Sequence, residues 1–377
     1  MRYSCWRGSN ANSNYVSSHT LNFTTGTSYT QSVASLTEVS YTTRKVIKYG
    51  GICLILFLVG RGLLLAGIAY WKLMNPPPPP PPTVEFGKLK PIQFPKQEKE
   101  NISYTLQLPT IDFPEFPDRA KVFVMPYKLP SFTIWDTATA EAAALGFKSS
   151  PEELTSNIYR WTKTTPVTAT LKMNIIDGSF VYKYFWQENP NILGGSLPLE
   201  SEAAEQVLSF IGEAKNLATD LANADYKVAY VKHTGNKLIS TLSISEGDLV
   251  KVNLFRANID GMPVVTPIPS KGIVSALLSG YASQRLLELE YNYFPVDYSS
   301  FATYPIKTAA QAWEELRQGK GYIASSSNKN NNIVVRRVYL GFYDSYEPQT
   351  YLQPIYIFSG DDDFLAYVPA IIEEWYQ

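Results

Sequence analysis

Few residues in this chain could do covalent or metal chemistry. Its 377 residues include two cysteines, Cys5 and Cys53, and two histidines, His19 and His233. Cys5 and His19 lie in a polar N-terminal tail and Cys53 lies in an apolar run, so the long remainder has no cysteine and one histidine. That excludes disulfides, thiolate metal sites and cysteine–histidine nucleophile systems from the remainder. His233 falls in a Lys- and Gly-containing stretch that reads as a turn between strands, a poor setting for a catalytic base. Ser326 and Lys329 reproduce the S-x-x-K spacing of penicillin-binding enzymes, with His233-Thr-Gly standing in for their K-T-G element. The order along the chain is reversed, and the serine sits in a polar loop rather than opening a helix, so the pairing is rejected.

Carboxylates remain. Asp361, Asp362 and Asp363 could bind calcium but lack EF-hand spacing, and a solvated hairpin turn accounts for them better. Two acids distant in sequence could hydrolyse a glycan, and such a pair leaves no local signature. Gly194-Gly195 is not a phosphate loop, because no P-loop lysine follows. Tyr182, Tyr184, Phe185 and Trp186 could form a ligand platform, although cross-strand packing is their commoner role. A net charge of −1 gives no nucleic-acid footprint. No cofactor is implied, metal or organic.

The elements that would carry these residues begin with a membrane segment. Gly50 to Leu73 is an apolar run that at ~1.5 Å per residue crosses a hydrocarbon core of about 30 Å. Tyr70 and Trp71 mark one interface, while Arg44, Lys45 and Lys48 crowd the other end. The positive-inside rule places the tail in the cytoplasm and the large domain outside, with a cleaved signal peptide as the alternative. Arg61 sits mid-span, at a cost of roughly 2.5–3.5 kcal/mol on insertion scales. It either faces a partner helix or snorkels. Gly62 and Ala66 beside it form a small-xxx-small pair, so Arg61, Gly62 and Ala66 are the candidate transmembrane partner contact.

The sequence divides into a disordered polar tail (1–43), a transmembrane helix with basic flank (44–75), a polyproline spacer and extended arm (76–118), and three α+β units at 119–195, 196–283 and 284–377. Pro76 to Pro82 predict a polyproline II rod, read as a spacer. Helices are expected from Asp136, an N-cap, to Gly146; from Ser201 to Ala222; and after Thr308, whose capping box with Gln311 precedes a stop at Gly319. A further helical turn is expected at Ser150–Glu153. Asp177-Gly178 predicts a type I′ hairpin, and Arg285–Tyr293 alternates with Leu287, Leu289, Tyr291 and Tyr293 on one face. Helices alternating with runs of antiparallel strands, and 26 tyrosines, point to α+β.

The last 65 or so residues read TAAQAWEELRQGKGYI, then VRRVYLGFYDS, then YLQPIYIFSGDDDFLAYVPAI. A threonine-capped helix, a glycine stop and a β-ribbon in this order resemble the closing unit of the YycH/YycI-type extracytoplasmic regulators, and of the wider PepSY-like group. The resemblance implies a membrane-anchored, non-catalytic domain of the bacterial cell envelope that binds a partner protein. In those families the transmembrane helix often joins the contact, and no catalytic residue is carried over. The expected partners are the lipid bilayer and an envelope or membrane protein, with neither nucleic acid nor small-molecule cofactor. A carboxylate-dependent envelope hydrolase and a purely structural surface protein are the alternatives.

Overall fold

The computed structural model describes residues 36–377 apart from 76–79, 98–101, 111, 128–130, 216, 236 and 328–331. Cys5, His19, Lys329 and the first four residues of the proline run therefore lie outside the described residues. The chain forms two compact units, one reaching Pro80 and one from Pro81 to the C-terminus.

Among the described residues the first unit holds one helix, α1 (Leu36–Met74, 39 residues). It starts earlier than the apolar run, so residues 36–43, expected in the disordered tail, are helical. No proline or glycine interrupts the stretch before Gly50, so the turn pattern extends back through the basic flank. From Ser40 onward its side chains are exposed or half-buried, and from Ile52 to Leu73 apolar side chains are exposed on every face, with Arg61 among them. Such a helix is long and apolar enough to span a membrane.

The second unit is mixed α+β. Its elements in order are β1 (Ser103–Leu106), β2 (Arg119–Val124), α2 (Ile134–Ala144), β3 (Glu152–Thr155), β4 (Ile158–Lys163), β5 (Ala169–Asn174) and β6 (Phe180–Tyr184). There follow α3 (Glu200–Ala214), α4 (Thr219–Ala222), β7 (Asp225–Thr234), β8 (Lys237–Ser240), β9 (Leu249–Phe255), β10 (Val264–Val265), β11 (Val274–Ser279) and β12 (Leu286–Tyr291). Last come β13 (Asp297–Pro305), α5 (Ala309–Arg317), β14 (Tyr322–Ser325), β15 (Asn332–Tyr343), β16 (Tyr351–Gly360) and β17 (Leu365–Pro369).

The strands make two sheets. The nine-stranded sheet runs β3-β4-β5-β6-β12-β11-β9-β7-β8, with every neighbour antiparallel. The eight-stranded sheet runs β1-β15-β16-β17-β14, with β10 on β15 and the β2–β13 pair joined through β16. β1 and β10 pair with β15 in parallel. These sheets do not divide at 195 and 283. β12, expected in the third unit, pairs with β6 of the first (Leu289 opposite Tyr182) and with β11 of the second (Ala276 opposite Leu289). The physical reason is that Leu287, Leu289 and Tyr291 find their buried face only between those strands.

The helices cover the sheets. α3 buries Ala203, Ala204, Val207 and Ile211 in the core of the nine-stranded sheet. α5 buries Ala309, Ala312, Trp313 and Leu316 in the core of the eight-stranded one. Thr308 and Gln311 form the expected capping box, and Gly319 adopts φ +71 just past the helix end.

Other expectations change. The helix expected over 201–222 stops at Ala214, where Lys215 turns extended. Lys215 reaches back to Glu141 and lies over the rings of Phe180 and Tyr291, so tertiary contacts outweigh the local helical stripe. Ser150–Glu153 forms no helical turn; Glu152 opens edge strand β3, whose pairing with β4 supplies its backbone bonds. α2 starts two residues before Asp136, with Thr133 at the N-cap, and Asp136 lies in its first turn. The 175–178 loop is not a two-residue I′ turn: Gly178 has φ +76, but Asp177 is not left-handed. Asp177 instead accepts bonds from Asn174 Nδ2 (2.6 Å) and the Ser179 N–H (2.8 Å).

Candidate functional site

Where the two sheets approach each other, β7 and β9 face β14, β15 and β17 across a groove. Two adjoining cavities of about 790 and 300 Å³ fill it, sharing Lys227, Pro269, Tyr339 and Leu365 in their linings. Both sizes lie at or above the ~300 Å³ at which ligand pockets begin.

The segment 266–271 bridges the sheets and shapes the groove. On one side Tyr322 and Tyr367 of the eight-stranded sheet donate their hydroxyls to the Pro267 and Thr266 carbonyls (3.1 and 3.2 Å). On the other, Lys271 pairs with Glu290 of β12 (2.7 Å). Partial burial raises the Glu290 carboxyl, but hydrogen bonds from Lys271 and Asn292 outweigh that and hold its pKa below the ordinary value.

Lys227, on β7, donates to the Pro269 carbonyl (3.2 Å) and sits 4.9 Å from the centre of the Phe255 ring. Opposite it, Arg337 and Tyr339 stand two residues apart on β15 and so share one face of the strand. Among the described residues the Arg337 guanidinium has no hydrogen bond or ion pair, and the Tyr339 hydroxyl has no hydrogen-bond partner. Burial pushes the Tyr339 phenol above its ordinary pKa, and Arg337 beside it pulls part of the way back.

Arg256 lines the smaller cavity and anchors a charge cluster beneath it. Its Nε donates to Asp344 Oδ2 (2.8 Å), its Nη2 to the Phe294 carbonyl (2.7 Å) and its Nη1 to Asp220 Oδ2. Asp220 also accepts the hydroxyls of Tyr293 (2.6 Å) and Tyr298 (2.9 Å). The Arg256 and Asp344 side chains are each 1% exposed, and Asp344 Oδ1 has no partner. Burial opposes the Arg256 charge, but the Asp344 carboxylate and then Asp220 outweigh it, so the pKa of Arg256 lies above its ordinary value. Burial first, and then the bond to Asp220, raises the Tyr293 phenol in the same way. Because Asp220 lies in α4 and Arg256 directly follows β9 of the nine-stranded sheet, while Asp344 directly follows β15 of the eight-stranded one, the cluster ties the two sheets beside the groove.

The residues singled out from sequence stand apart from this groove, with one exception. Gly62 and Ala66 lie one turn apart on α1, Arg61 is on the adjoining face, and a Cβ at Gly62 would meet no atom within 4 Å. His233 lies inside β7 opposite Leu238 of β8 rather than in the turn, packs edge-on against Trp186 (4.9 Å between centres), and its backbone N–H donates to Asp248 Oδ2 (2.9 Å). Tyr182, Tyr184 and Trp186 are buried in the core, and only Phe185 of that quartet is exposed. Ser327, beside Ser326, donates to the Asp362 carbonyl. The acidic triplet forms a tight turn between β16 and β17, with Asp362 and Asp363 left-handed and Asp361 gripped by Arg336 (2.7 Å). Asp363 is the exception, for it lines the larger cavity. Arg256, Arg337, Tyr339, Asp220 and Asp344 were not singled out. The signal available was a lone charge closing an apolar strand, as in VNLFR and YLGFYD.

The chain is thus a mixed α+β protein with, among the described residues, one helix long and apolar enough to span a membrane. No family model matches it, and no curated protein does. Among solved structures it is similar to an uncharacterized protein from Eubacterium rectale ATCC 33656, at 10% identity and TM-score 0.34, over 73% of this chain and 91% of that one. A likeness of that degree carries no argument about function.

Proposed function

We propose that the chain is a bitopic protein of the bacterial cytoplasmic membrane whose outer domain binds and modulates a partner envelope protein without catalysing a reaction. The basic flank Arg44, Lys45 and Lys48 keeps the N-terminus in the cytoplasm and leaves the α+β domain outside. The helix contributes Arg61, Gly62 and Ala66 to an intramembrane contact with the partner. The resemblance of the last 65 or so residues to YycH/YycI-type and PepSY-like regulators supports this reading. The observation that carries it is the groove, which offers an uncommitted guanidinium and an uncommitted phenol between two strand walls.

A photo-crosslinking side chain at Ser270, exposed on the groove rim, tests it in native membranes. We expect a discrete crosslinked protein adduct from that position and none from exposed Lys163, which does not line the groove. Arg61→Leu is expected to weaken the Ser270 adduct. Equal, diffuse crosslinking from Ser270 and Lys163 would refute the docking role.

A further inference from the structure

Resting on the reading of the groove as a docking surface, the geometry points to its ligand: an extended peptide segment carrying one isolated carboxylate, which Arg337 and Tyr339 receive. A guanidinium presents a planar fork of N–H donors, and a phenol adds an O–H donor. Two such groups on one strand face, both without partners among the described residues, match a carboxylate more closely than any neutral group.

The rest of the lining fixes what surrounds that carboxylate. Val228, Ala229, Phe364 and Leu365 are apolar, so the ligand is not uniformly polar. Lys227 already rests on a carbonyl and an aromatic ring, which leaves Arg337 as the open cation of the larger cavity among the described residues. Asp225 lines the smaller cavity and Asp363 the larger. A polyanion such as a phosphodiester polymer would meet both of those carboxylates, whereas a peptide with a single acid among apolar side chains would not. The walls are strand surfaces, along which an extended segment advances about 3.3 Å per residue with alternate side chains facing each wall.

The test uses the full chain in lipid nanodiscs and two dye-labelled, end-capped hexapeptides of alternating leucine and threonine, one with a central glutamate and one with glutamine. Fluorescence anisotropy should show the glutamate peptide binding at least about tenfold more tightly, the scale of a charged hydrogen bond. Arg337→Gln should bring it down to the glutamine peptide's level, and Tyr339→Phe should narrow the gap. Inorganic polyphosphate should not compete. Equal binding of the two peptides, a preference that survives Arg337→Gln, or Arg337-dependent competition by polyphosphate overturns the assignment. If neither peptide binds while the Ser270 adduct persists, the carboxylate assignment fails alone. Loss of that adduct would remove the docking reading beneath it.

Discussion

Arg256→Met lowers the unfolding free energy of the domain by about 3–5 kcal/mol, the range for breaking a buried ion pair from one side. The substitution keeps most of the side-chain volume and removes the charge. Asp344 is then left with no cation, buried, and with both carboxylate oxygens short of a partner, since Oδ1 already has none. Asp220 fares better because the Tyr293 and Tyr298 hydroxyls still donate to it. A second change follows from this asymmetry. Adding Asp344→Leu to Arg256→Met should recover most of the loss, because an apolar pair of similar volume avoids the desolvation of two charges. Urea titration in detergent, followed by intrinsic fluorescence, reads both. If Arg256→Met costs less than about 1 kcal/mol, like an exposed ion pair, the cluster does not hold the sheets together.

Gly272→Ala is the second large effect, expected at about 3 kcal/mol, the top of the usual overpacking range. A Cβ there would lie 2.1 Å from the Leu254 carbonyl oxygen and 2.8 Å from the Leu254 nitrogen. Both are backbone atoms of β9, an interior strand of the nine-stranded sheet, so no side chain can rotate aside. The Gly272 N–H also donates to Asn253 Oδ1 (3.2 Å), and that bond is lost if the segment shifts. Gly212 is the contrast. It lies exposed in α3 with no atom within 4 Å of a Cβ, and Gly212→Ala should stabilise by about 0.5–1 kcal/mol through helix propensity. Thermal melts of the two variants should therefore move in opposite directions. A neutral Gly272→Ala would show that the backbone at Gly272 is not in close contact with β9.

How far the sequence could be read depends on the range of the interactions involved. α5 was legible because its signals are local: Thr308 and Gln311 cap it, four apolar residues share a face, and Gly319 ends it. β12 was legible as a strand from its alternation, but its neighbours were not, since nothing local specifies pairing with β6 across a hundred residues. β11, whose VSALLS is nearly continuous in apolar character, gives no alternation, because it is interior to the sheet and covered on both faces. The break after Ala214 was hidden for the same reason, as Lys215 and Asp220 are drawn to Glu141 and Arg256. The groove was illegible because it belongs to no segment; β7, β9, β14, β15 and β17 each supply part of it. The span in α1 was the most legible feature, since apolar length needs no partner to be recognised.

Orientation across the membrane underlies the proposed role, and Ser270→Cys measures it directly. Cys53 lies within the span and Cys5 precedes it, so the parent chain provides its own control. A membrane-impermeant maleimide on intact cells should label the Ser270→Cys chain and not the parent, with Cys5 reacting only after lysis, and the chain should stay in the membrane pellet through a carbonate wash. Labelling of Ser270→Cys that requires lysis, or recovery of the chain in the soluble fraction, contradicts a domain tethered outside the cell.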